Sequence, residues 1–126
     1  MRYLKLASAF AIAVACVTMI VAAQGKAVPA MAGILMKLNH FAGDADKKTL
    51  TAIVDDKATT AAERTVAQAL LNVLHTASAA DKPKLDALVK DKATPEGLRT
   101  IATIILSLNH TPSDAQKADL KKLAGA

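Results

Sequence analysis

The amino-acid sequence predicts an all-α fold, an α-solenoid-like stack of about three helix hairpins. Three observations predict it: a gapless 35-residue internal repeat, apolar spacing of helical period within each unit, and helix start signals where the units need them.

The repeat is carried first by His40, His75 and His110, spaced 35 and 35 apart. Residues 34–68 written over 69–103 give 16 identities in 35 positions, among them Asp46/Asp81, Lys47/Lys82, Leu50/Leu85, Val54/Val89 and Arg64/Arg99. The turn Asp56-Lys57-Ala58-Thr59 recurs unchanged as Asp91-Lys92-Ala93-Thr94, and a third copy begins near Ile104 with Lys117, Leu120 and Leu123 in register. A fixed period of this size marks stacked supersecondary units that bury their apolar faces against one another. Tetratricopeptide repeats have a similar period, but their Trp, Gly-Tyr and Phe signature positions are absent here.

Each unit reads as two helices. In the second, Leu50-Ile53-Val54, Leu85-Leu88-Val89 and Leu120-Leu123-Ala124 fall at i, i+3, i+4 and make one apolar stripe. The first is apolar over a wider arc, with Val66, Leu70, Val73 and Leu74 flanked by Ala67 and Leu71. Such a helix belongs inside, between its partner and the next unit. Thr60-Ala61-Ala62-Glu63 is a capping box. Thr94-Pro95 and Thr111-Pro112 each place a cap before a proline at the first helical position. Pro83 delays its helix to about Asp81, because proline removes an intrahelical hydrogen bond. The helices are expected over 28–40, 45–55, 60–75, 81–90, 95–109 and 112–124.

Ahead of the repeat lies a different kind of segment. Met1-Arg2-Tyr3-Leu4-Lys5 is basic, residues 6–23 are uncharged, and Val21-Ala22-Ala23 precedes Gln24. This is the pattern of a secretory signal cleaved after Ala23. The expected division is a signal peptide over 1–23 and one helical-repeat domain over 24–126, periplasmic or secreted, with no stable membrane insertion after cleavage.

Cleavage changes the composition of the working chain. Arg2 and Lys5 leave, so 14 basic residues face 11 acidic ones rather than 16 facing 11. The only cysteine, Cys16, leaves too, and with it any thiol or disulfide chemistry. Phe41 becomes the sole aromatic residue, which disfavours single-stranded nucleic acid, whose bases need several stacking rings.

Chemistry-bearing motifs are sparse. No Ser sits in a Gly-x-Ser-x-Gly turn, and Asp55, Asp56 and Asp91 fall in charged turns rather than a pocket that would tune a general acid or base. Met31 and Met36 precede His40 but align with Val66 and Ile101, and with Leu71 and Leu106, so they read as core. Lys47, Lys82 and Lys117 form a repeated basic stripe diluted by Asp46 and Asp81.

The expectation is a non-catalytic protein with no cofactor and no metal site, holding another envelope or extracellular protein or peptide on a solenoid face. His40, His75 and His110 are the only metal candidates, and they underlie an alternative reading as a metal- or ligand-responsive envelope protein. As helix-end residues they would bond the last carbonyls. In an open stack neighbouring units stand about 10 Å apart, too far for three imidazoles to share one ion.

Overall fold

The computed structural model describes residues 25–125; the leader expected over 1–23 lies outside them. Among the described residues there are six α-helices and no named strand: α1 (Val28–Met36), α2 (Asp44–Asp55), α3 (Ala61–Asn72), α4 (Lys82–Lys90), α5 (Glu96–Leu106) and α6 (Asp114–Leu123). The all-α class is as the repeat predicts. None of these helices is long and apolar enough to cross a membrane.

Repeat-equivalent positions behave alike. Leu50, Leu85 and Leu120 are fully buried, as are Met31, Val66 and Ile101. Ala32, Ala67 and Ala102 are also fully buried, as are Leu35, Leu70 and Ile105. Met31 is therefore core, and Met36 packs partly buried against it. Small alanines at one level let the three first helices approach closely, while larger residues above and below fill the space between them.

Those first helices, α1, α3 and α5, touch one another and form an inner layer; α2, α4 and α6 lie outside. The main pairings straddle the repeat boundaries. The second helix of each unit packs on the first helix of the next, α2 on α3 and α4 on α5. The third such pairing is α6 on α1.

That last contact corrects the open stack. The third unit returns to the first, and the helices form a closed ring with pseudo-threefold symmetry. The physical reason lies in the inner helices, whose apolar arcs are wide enough to face two neighbours each. Closure gives every inner helix both of them and leaves no terminal unit with a bare apolar side.

The start signals are borne out in part. Thr60 accepts from Glu63 N at 3.2 Å and its own N–H donates to Glu63 Oε2 at 2.7 Å, a full capping box. Pro83 does push the start of α4 to Asp81–Lys82. The other two caps differ. Pro95 is itself the N-cap of α5, with Thr94 buried behind it. Ser113, not Thr111, caps α6, in a box with Gln116. The inner helices also end about three residues early. Leu38, Val73 and Leu108 lie beyond the helix ends yet remain buried, so apolar periodicity outruns the helix.

At the end where the inner helices begin, Glu63 replaces the apolar residues of the other units, Val28 and Leu98. It is buried, and its Oε1 accepts from Ala27 N at 3.0 Å, tying the entering chain to α3. Gly25, at φ +81°, passes so close that a Cβ there would collide with the Glu63 carboxylate.

Closure is testable at Gly97. A Cβ built there lies 3.2 Å from Val28 Cγ1 and 3.4 Å from Leu123 Cδ2, where α5 meets both α1 and α6. Gly97→Leu should cost about 1–3 kcal/mol by overpacking this seam, and Val28→Ala should recover part of the loss. In an open stack the same change would stabilise α5 by about 1 kcal/mol, through helix propensity. Denaturant unfolding of the single and double variants distinguishes the two.

Candidate metal centre

The three connections from inner to outer helices all lie at one end of the ring, and each carries its histidine at its tip. His40 N donates to His110 O at 3.0 Å, His75 N to His40 O at 2.7 Å, and His110 N to His75 O at 2.7 Å. These bonds form a closed cycle, so each loop is fixed by the other two. The histidines are three or four residues past their helix ends, which corrects the expectation that they cap terminal carbonyls.

Each histidine has a left-handed backbone, with φ +69°, +70° and +67°. Phe41 N donates to Asn39 O across His40 at 2.8 Å, and Thr111 N to Asn109 O across His110 at 2.8 Å. A three-residue turn with positive φ at its centre is the rare, strained form of the γ-turn. Left-handed backbone costs an L-residue about 1–2 kcal/mol. At the middle turn Leu74 N donates to Thr76 O instead, at 3.3 Å, but the positive φ recurs at all three histidines, and that strain accumulates at one place, as it does at functional sites.

The strain delivers the side chains to one point. The Nδ1–Nδ1 distances are 2.9 Å (His40–His75), 3.1 Å (His40–His110) and 3.0 Å (His75–His110). The ring centroids stand 4.8–5.0 Å apart with planes 70–77° from one another, a propeller. His40 is half-buried; His75 and His110 are exposed. The sequence-based separation of about 10 Å is therefore wrong by a wide margin, because it assumed an open stack.

Hydrogen bonding alone does not satisfy this triangle. An imidazole nitrogen is either an N–H donor or a lone-pair acceptor, never both. With no Nδ1 protonated, all three edges oppose lone pairs. With one protonated, one such edge remains; with two, two N–H groups confront each other. No assignment makes all three contacts attractive. A cation at the centre does, since it accepts every lone pair at once.

The dimensions suit an ion. Relative to the axis, the ring centres lie at about 2.8 Å and the Nδ1 atoms at about 1.7 Å, so each lone pair points almost straight inward. Metal–imidazole bonds are about 2.0–2.1 Å. An outward shift of about 0.3–0.4 Å per ring brings an ion in the plane of the three nitrogens to that length. The parallel inner helices also direct their negative dipole ends towards this end of the ring, which favours a cation there.

The other residues singled out in the sequence play no part in this arrangement. Asp56 and Asp91 accept backbone N–H groups from Ala58 and Ala93 within their turns, and Lys47 and Lys82 are exposed. No family model matches the chain, and no curated protein or solved structure matches it significantly.

If the histidine backbone is strained for the sake of the side chain, glycine relieves it. His75→Gly should leave the stability of the metal-free protein within about 1 kcal/mol of the parent, since relief of left-handed strain offsets the added backbone entropy. Urea unfolding checks this. A loss above about 2 kcal/mol would show that the imidazoles themselves hold the ring together.

Proposed function

We propose that this is an exported, non-catalytic metal-binding protein that holds one transition-metal ion on the Nδ1 atoms of His40, His75 and His110. The observation that carries the reading is the triangle of nitrogens with 2.9–3.1 Å edges, which no protonation state makes self-consistent. Imidazole donors suit zinc, copper, iron and nickel rather than the hard oxygen-seeking ions. Export rests on the leader pattern of residues 1–23, which supports a location in the periplasm or outside the cell. The ring is then a scaffold whose three units each supply one ligand.

The proposal promotes the histidine reading over the protein-interaction module. An interaction module with no metal leaves the three strained turns and the convergent lone pairs without a use. Phe41 and Leu74, the exposed large apolar residues among those described, neighbour His40 and His75 and suit a rim around the site.

Calorimetry with zinc and copper on the chain beginning at Gln24 tests the proposal. One ion per site is expected, weakened more than about 100-fold by any single His→Ala change, beyond the usual cost of losing a second-shell partner. At 100 times Kd the ion should add about 2.7 kcal/mol of stability. Three independent weak sites, or indifference to His110→Ala, would contradict it.

A further inference from the structure

Resting on that metal reading, we propose that the ion is four-coordinate and keeps one position open on the pseudo-threefold axis, where it takes a small monodentate anion. Two features of the triangle set the coordination number. Edge length alone would suit an octahedral face, since bonds of about 2.1 Å across 3.0 Å edges subtend about 90°. Lone-pair direction opposes this. An octahedral ion would stand about 1.2 Å above the nitrogen plane, well off the inward line on which the Nδ1 lone pairs point.

Expanding the edges costs only small rotations of two exposed side chains and one half-buried one, whereas redirecting three lone pairs requires turning three rings in a close-set propeller. Direction therefore opposes six-coordination. A tetrahedral ion lies about 0.7 Å above the plane after the triangle expands by about 0.2 Å per ring, close to the lone-pair line. Its fourth position falls on the axis. Three protein ligands and one open position is the arrangement of zinc sites that bind an exogenous ligand.

Charge selects the class of that ligand. The three donors are neutral imidazoles, so the ion keeps its full double charge. The connecting segments 38–43, 73–80 and 108–113 contain no Asp, Glu, Lys or Arg, so no carboxylate of these loops reaches the ion. The inner-helix dipoles offset only part of the charge, since their effect falls off within the last turn. They also lie on the protein side of the ion. On the side where His75 and His110 are exposed the axial position is left electropositive, and a small anion neutralises it directly.

Cobalt(II) in place of zinc, titrated with azide, tests this. A four-coordinate site gives intense visible absorption, and azide should shift the bands with saturation at one equivalent. A weak spectrum of the six-coordinate kind overturns the coordination number. An intense spectrum that azide leaves unchanged overturns the open position while leaving metal binding intact. Absence of any cobalt or zinc uptake sinks the metal reading itself.

Discussion

A cycle of three backbone hydrogen bonds governs this molecule. His40, His75 and His110 each donate to the carbonyl of another of the three, and the bond from His40 N to His110 O, which completes the cycle, exists only when the third unit meets the first and the ring is shut. An open stack of the same hairpins would leave one N–H and one C=O unpaired at its ends. Each such bond adds only about 0.5–1.5 kcal/mol net. Its importance is geometric, because it clamps three strained turns with their imidazoles facing the axis. The α6–α1 packing supplies the closure, and the cycle converts closure into a site.

Core and site thus follow from the same symmetry. Nine fully buried residues on the inner helices repeat three to a level, and the histidines form one more level of that series at the exposed end. Where the symmetry breaks, the cause is local. Glu63 stands among Val28 and Leu98 because the chain enters there and Ala27 needs a hydrogen-bond acceptor. At the histidine end the three φ values and the three Nδ1 separations are nearly equal. A protein of three similar units is well suited to one ion with three like donors, since one backbone conformation made three times completes the set.

Much of this was legible in the residues. The register of the repeat identified Leu50, Leu85 and Leu120 as one core slot, and Thr60 with Glu63 as a helix start. It was silent on the rotation between units, which decides between a stack and a ring. One signal did point to closure. A solenoid needs polar outer faces on its terminal units, yet the first unit keeps Val28, Met31 and Leu35, as apolar as the middle one. The histidine spacing was read as distance along a stack because sequence separation carries no angle. Helix ends were overrun because Leu38, Val73 and Leu108 stay buried after the chain has left the helix. Positive φ at a histidine has no sequence signature comparable to that of glycine.

The central claim is that closure of the ring brings three Nδ1 atoms, and not Nε2 atoms, onto one ion. Nitrogen-15 NMR of the imidazoles during zinc titration addresses it directly. The account predicts that Nδ1 of all three histidines shifts together as one ion is added, while each Nε2 keeps its proton. Coordination through Nε2, or a response from only one or two of the histidines, would contradict it.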